Sequence, residues 1–257
     1  MKKILLLICL ALSACATQVQ PSSEPEKKVL RMQSTRLDPA NGGRLIDGAS
    51  LQSGDIVLSA SKGLISGSIR TLSFAPVSHA AVYLGQNQVA EAVTSGGVRI
   101  RDLAAFLDDT SVAVTFRAAP LSEAQTLRLR GFAEQHQGSS YDFVGVLLYA
   151  PFSIERRVCE LPAMPSLLRE ACIRGVASIQ LGVPDNERFF CSEFVLAALA
   201  HAGNPLTSAK PKWLTPGDIL HMRENDVSSL RSLQTLAYVG HLKFKPERVL
   251  AANELRQ

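Results

Sequence analysis

Three side chains in this chain carry the chemistry of a covalent catalyst. Cys191 stands in Phe189-Phe190-Cys191-Ser192-Glu193-Phe194-Val195, at the start of an apolar stretch that reads as a helix ending at Gly203. The amides and dipole of a helix N-terminus favour thiolate over thiol, and a neighbouring imidazole favours it further. His79, in Val77-Ser78-His79-Ala80-Ala81-Val82-Tyr83-Leu84-Gly85, can supply that imidazole. Glu91, in Val89-Ala90-Glu91-Ala92-Val93, can orient it. Nucleophile, base and carboxylate are all available.

Each also has a plainer reading. Cys191 shares a helical stripe with Phe194, Val195, Ala198, Leu199 and Ala202, so the thiol equally suits a packed core. A lone histidine on a strand is more often structural than basic. Glu91 interrupts a small apolar run, where a buried carboxylate is costly unless paired. His136, His201, His221 and His241 compete for the role of base, although His201 sits at the far end of the helix that Cys191 opens.

The elements that must position these groups are legible. Ser53-Gly54-Asp55 signals a turn into a strand at Ile56-Val57-Leu58. His79 to Leu84, Gln88 to Val93, Gly97 to Arg101 and Ser111 to Ala118 read as strands, and Gly63 to Ser73 as a short helix. Helices are expected from Asp102 through Phe106, from a Ser122 cap to His136, near Ser166 to Ile179, from Phe190 to Ala202, and after a Thr215 cap. Tyr141 to Tyr149 is apolar and buried, the rest of Pro151 to Pro184 is irregular, and Ala237 to Phe244 is a last strand. With the 79 and 88 strands in a hairpin of even register, His79 and Glu91 share one face.

At the N-terminus, Lys2 and Lys3 precede an apolar run from Ile4 to Leu12, too short to span a bilayer and laid out as an export signal. It stops at Leu12-Ser13-Ala14-Cys15, which resembles the lipobox of bacterial lipoproteins. That likeness implies residues 1–14 as a signal peptide, Cys15 as the lipidated residue and, through Ala16 after it, transfer to the outer membrane. Residues 15–44, rich in Gln, Pro, Ser, Glu and Lys, have the composition of a flexible tether, and residues 45–250 suffice for one domain with a sizeable core.

The 27 Lys and Arg against 23 Asp and Glu, less Lys2 and Lys3, leave a mature charge of about +2, which excludes a nucleic-acid protein. Arg156-Arg157 and the Lys210, Lys212 pair read as solvated surface. In an oxidising compartment Cys159 and Cys172, flanking Glu160 to Ala171, suit a disulfide, which leaves Cys191 as the odd thiol. No Cys-x-x-Cys or His-x-x-x-His spacing appears, so neither metal nor cofactor is expected.

The runs around Ser53, His79, Glu91 and Cys191 together resemble the NlpC-type, papain-like cysteine peptidases and amidases. His and Glu precede Cys here, as in the circularly permuted group. Trp213-Leu214-Thr215-Pro216, His221-Met222-Arg223 and Tyr238-Val239-Gly240-His241-Leu242 place the likeness nearest the YaeF/YiiX-like lipoproteins, over about residues 50 to 245. The resemblance implies an α+β, papain-like fold, with the nucleophile helix packed on an antiparallel barrel-like sheet. It also implies Cys191 as nucleophile, His79 as base and Glu91 as the residue orienting it. Tyr83 and Tyr141 are candidates to line the cleft, or simply to pack.

The function expected from this likeness is a periplasm-facing, outer-membrane-anchored thiol hydrolase acting on amide bonds, with peptidoglycan stem peptides as its substrates. Acyl transfer or hydrolysis on lipids is the competing chemistry, with Phe143, Val146, Leu147 and Leu148 as residues to hold an acyl chain or simply to fill a core. A non-catalytic binding lipoprotein is the third reading.

Overall fold

The computed structural model describes residues 16–21, 28–34, 37, 43–61, 75–162, 164–180 and 188–244, with 21, 143–150 and 180 described by backbone alone. The signal segment, Cys15 and the helix expected over Gly63 to Ser73 lie outside the described residues. In chain order the strands are β1 (Thr17–Pro21), β2 (Lys28–Met32), β3 (Ile56–Ala60), β4 (His79–Gly85), β5 (Gln88–Val93), β6 (Gly97–Asp102), β7 (Val112–Arg117), β8 (Ser140–Tyr141), β9 (Arg188–Phe189) and β10 (Ala237–Phe244). The helices are α1 (Leu103–Asp108), α2 (Glu123–Gln135), α3 (Phe143–Cys159), α4 (Ser166–Gln180), α5 (Cys191–His201) and α6 (Pro216–Leu220).

Six strands form one antiparallel sheet in the order β10-β7-β3-β4-β5-β6. It is an open sheet ending at β10 and β6, so the barrel-like closure expected above is not seen among the described residues. The central strand β3 is buried at every position, as a strand covered on both faces must be. Gly54 leads into it at a φ of +90, a left-handed conformation in which a Cβ would also strike Leu121. Asp55 then takes Arg117 of β7 in a two-pronged pair, both contacts at 2.6 Å. β4 and β5 join through Gln86-Asn87, both at positive φ, the two-residue turn whose twist matches a right-handed hairpin.

The sheet separates two cores. Ile56, Leu58, Ala80, Val82, Ala90, Ala92, Val114 and Phe116 face the larger one, which α5 fills with Phe194, Val195, Ala198 and Leu199. Those four side chains are fully buried, and burying each of the larger three contributes roughly 1.5–3 kcal/mol. The other face carries Val57, Ala81, Tyr83, Val89 and Ala113 beneath Leu103 and Phe106 of α1.

Cap chemistry sets the helix ends. Ser122 accepts a hydrogen bond from the Gln125 amide at 3.3 Å, and Gln125 Oε1 accepts from the Ser122 amide at 3.0 Å, closing a box at the start of α2. α5 ends in a left-handed Gly203, where the Asn204 amide donates to Leu199 O and the Gly203 amide to Ala200 O.

Two stretches differ from expectation. Residues 17–21 and 28–32, inside the segment expected to be a tether, pair as an antiparallel hairpin. The hairpin is tied to the domain by Arg31 to Asn225 at 3.0 Å and by Gln33 to Ser229 at 2.9 Å. Polar composition hides it, because the ties are long-range bonds from backbone and polar side chains rather than apolar burial. The stretch expected to be irregular after Pro151 is helical: α3 runs through that proline to Cys159. Phe152, Ser153, Arg156 and Cys159 turn inward at helical spacing while Ile154 and Val158 face out. Cys159 and Cys172 are disulfide-bonded, with Cα atoms 5.6 Å apart, and join α3 to α4. Replacing both with alanine is expected to cost about 3 kcal/mol of stability. A urea midpoint unchanged between wild type and double variant would show that the bridge does not restrain the fold.

Candidate active site

The β4–β5 register sets Ala81 opposite Glu91, so His79 and Glu91 lie diagonally across the hairpin on the same face. His79 Nε2 lies 2.6 Å from Glu91 Oε2. The Glu91 carboxylate, 3 % exposed, is held from its other side by β6, whose register puts Arg99 directly opposite. Arg99 Nη2 approaches Oε1 to 2.8 Å and Arg101 Nη1 to 3.4 Å. A buried carboxylate that would be expensive alone therefore has three basic neighbours. Burial works to raise the Glu91 pKa, but the hydrogen bond and charge of His79, followed by those of Arg99, bring it down to about 2.

His79 is the first residue of β4 and Cys191 the first of α5. The two meet side chain to side chain in a hydrogen bond, with Cys191 4 % exposed and the His79 ring 22 % exposed. Burial works to lower the His79 pKa. The hydrogen bonds with Cys191 and Glu91, and then the charges of the same two groups, overcome it and raise the value to about 10. An imidazole between a carboxylate and a sulfur is thus held as imidazolium at neutral pH.

Local structure explains why Cys191 sits where it does. Phe190 is extended, its amide donates to Glu193 Oε2 at 3.4 Å, and Glu193 brings a negative charge to the first turn. Ser192 donates to Leu214 O at 2.6 Å, tying the helix start to the turn at Pro211–Trp213. Just upstream β9 pairs in parallel with β8, Tyr141 opposite Phe189, which carries Tyr141 to the thiol. Burial, the charge of Cys191 and that of Asp142 together raise the Tyr141 phenol well above its usual value, so it stays a hydrogen-bond donor. Asp142 in turn faces Lys212 Nζ at 3.2 Å.

His79, Glu91, Cys191 and Tyr141 are therefore brought together, and Tyr83 is not. Tyr83 is 5 % exposed in the smaller core, and its hydroxyl accepts the Asn87 amide at 3.0 Å. It packs the hairpin and holds its turn. The competing histidines are engaged elsewhere: His136 and His201 against Phe132, His221 with Asp226 at 3.0 Å, and His241 with Tyr238 at 2.5 Å. Arg99, Arg101 and Asp142 carry no functional reading from sequence, and Lys212, expected to be solvated surface, is buried against Asp142. The two arginines had a visible signal, since they alternate along the strand that follows Glu91.

Among known proteins, residues 50–146 match the family model of the permuted papain-like amidase enzymes, YaeF/YiiX, C92 family. A probable lipoprotein peptidase, YaeF of Escherichia coli strain K12, is 36% identical over 245 residues, which cover 91% of this chain and 89% of the relative. The chain belongs to the permuted papain-like C92 family. It is accordingly a cysteine peptidase or amidase with a mixed α/β fold built on an antiparallel sheet. A more distant likeness is to the crystal structure of the metalloprotein YiiX from Escherichia coli O157:H7, with a TM-score of 0.42, 22% identity, and coverage of 62% of this chain and 71% of that one. The family segment includes His79, Glu91 and Tyr141, and Cys191 lies beyond it in the part covered by the YaeF relative.

Proposed function

We propose that this chain is an outer-membrane-anchored hydrolase that cuts peptide or isopeptide bonds through Cys191, His79 and Glu91, with peptidoglycan stem peptides as its substrate class. The observation that carries this reading is the single imidazole hydrogen-bonded at once to a buried carboxylate and to the thiol that opens α5. Glu91 engages Nε2, which leaves Nδ1 for the sulfur. The Cys191 thiolate attacks the amide carbonyl carbon, and the Cys191 backbone amide receives the developing oxyanion. As the C–N bond breaks, His79 gives its proton to the leaving amine and a thioester remains. His79, now neutral, takes a proton from water; the hydroxide displaces the thiolate, and a carboxylic acid product leaves. Glu91 keeps the ring oriented and stabilises its charge in both halves. Tyr141 lines the site as a donor.

Anchorage through Cys15, facing the periplasm, is supported by the lipobox-like run, by Ala16 after it, and by the lipoprotein naming of the K12 relative. The test compares wild type and Cys191→Ala on muropeptides and on phospholipids, with products read by mass spectrometry. Cleaved muropeptides from wild type alone are expected. Products from phospholipids only would move the chemistry to acyl groups, and products from neither would leave a binding lipoprotein.

A further inference from the structure

A cavity of about 690 Å³ lies apart from the catalytic groups, and neither Cys191, His79, Glu91 nor Tyr141 lines it. β1, β2, the start of α4 and the chain after α6 border it and leave it open on one side, so His221-Met222-Arg223, unused by the hydrolase, forms part of its wall. Ser166 and Leu167, the first residues of the fifteen-residue α4, also line it, and no acidic residue occupies that first turn. The unpaired amides of such a terminus favour an anion.

A second observation points the same way. Arg169, another lining residue, is 2 % exposed. Its Nη1 donates to Thr17 O at 2.8 Å, its Nη2 lies 3.5 Å from Ser228 O, and its Nε has no partner. Both partners are neutral carbonyls, so no carboxylate is hydrogen-bonded to this buried cation. Burial lowers its pKa, with Glu160 opposing and Arg156 adding to the effect. Arg31 and Arg231 bring two more guanidinium groups to the wall, and a third, that of Arg223, is paired there with Asp226. The carboxylates there are largely spent: Glu170 binds Arg174 at 2.6 Å, and Asp226 binds His221 and Arg223, each at 3.0 Å, while Glu224 is exposed.

Chain position says what kind of anion reaches it. Thr17, held by Arg169, follows Cys15 by two residues, and Gln18 and Gln20 line the cavity. Leu167, 76 % exposed at the wall, is followed by Leu168, and the adjacent hairpin exposes Leu30 and Met32. Cationic lining beside exposed apolar side chains, at the point where the anchor leaves the domain, suits a headgroup with its acyl chains alongside. We propose that this cavity binds the phosphate of an anionic membrane lipid, with Arg169 and the α4 terminus as its floor, and that Leu167 and Leu168 enter the bilayer holding the Cys15 anchor. The membrane half of this proposal rests on lipidation of Cys15, and the anion site does not depend on the hydrolase chemistry.

The test uses the full chain in neutral-detergent micelles containing phosphatidylglycerol or phosphatidylcholine, read by thermal melting and ³¹P linewidth. Inorganic phosphate and glycerol 3-phosphate are titrated separately. Saturable stabilisation by phosphatidylglycerol and none by phosphatidylcholine is expected, with Arg169→Gln weakening it by about tenfold or more. Because Arg169 is buried, Arg231→Gln, at an exposed position, is the second variant; it should weaken binding while melting in phosphatidylcholine stays unchanged. Equal response to the two lipids, or insensitivity to both variants, overturns the site. Soluble phosphate binding as tightly as phosphatidylglycerol overturns the lipid assignment. Mass spectrometry of Cys15 on the same sample tells a missing anchor from a missing headgroup site.

Discussion

His79→Ala is expected to lower kcat/KM on a cleavable muropeptide by roughly ten-thousand-fold while leaving the melting temperature within a few degrees of wild type. On the proposed mechanism the loss is large because one ring has two tasks, protonating the leaving amine and activating water. Iodoacetamide labelling of Cys191 at about pH 6 should fall with it, since the thiolate loses its counter-ion. Equal labelling of wild type and variant would sink the ion pair, whatever happened to turnover.

The pH dependence follows from the same contacts. His79 carries its proton up to about pH 10, so the alkaline limb of kcat/KM should lie near that value rather than near the usual 6.5. Glu91→Gln removes the negative charge that holds this proton, and the limb should move to lower pH. A limb that stays in place would mean that Glu91 does not govern the ring. Stability has the corresponding signs. The His79 proton is held more tightly in the folded chain, so its contribution is complete below pH 6.5 and is lost as pH rises through about 10. Glu91 is held ionised, so its contribution is present above pH 4.5 and is lost as pH falls through about 2.

Arg156→Ala is expected to cost about 3–5 kcal/mol of unfolding free energy, the largest structural effect outside the apolar core. Arg156 reaches from α3 to Asp218 of α6, with Nη1 on Oδ2 at 2.8 Å and Nη2 on Oδ1, and its Nε binds Glu160 at 2.8 Å. Burial alone would raise the Asp218 pKa, and it is the charge and hydrogen bonds of Arg156, with the Thr215 bonds, that lower it. Truncating the arginine leaves a carboxylate, 8 % exposed, without its cation. Arg156→Met combined with Asp218→Asn should recover much of the loss, because the amide still accepts the Thr215 amide and carries no charge. Urea unfolding of the three proteins checks this, and a single-variant cost below about 1 kcal/mol would show the pair to be solvated.

Arg156 also marks where reading the chain stops. Beside Arg157 it has the look of a surface charge, as does Lys212 beside Lys210, yet Arg156 and Lys212 are buried against Asp218 and Asp142. Nothing local distinguishes them, because the partner that makes burial tolerable lies 62 residues away in one case and 70 residues away, at the β8–α3 junction, in the other. The pairing of residues 17–21 with 28–32 is hidden for the same reason. Strands β3 to β7 and helices α2 and α5 were legible to within a residue or two, since period-two and helical patterns, a Ser122 cap and a Gly203 stop all act over a few residues. Tyr83 shows the reverse error, a chemically able side chain that the hairpin turn consumes.

By itself the sequence determined which groups were available and which elements would carry them: a thiol opening a helix, a histidine opening a strand, and a carboxylate in the next strand. Residue type and periodicity settle such matters, because backbone preference and one-sided burial are short-range. Only the tertiary structure decided that His79 and Cys191, 112 positions apart along the chain, share a hydrogen bond, and that the thiol is a partner of the ring rather than a core filler. It also decided that Arg99 and Arg101 reinforce Glu91, and that Tyr141 stands by the thiol while Tyr83 does not. Those outcomes depend on strand order, register and the docking of α5 on the sheet. Long-range packing sets all three, and no window of sequence contains both sides of the contact.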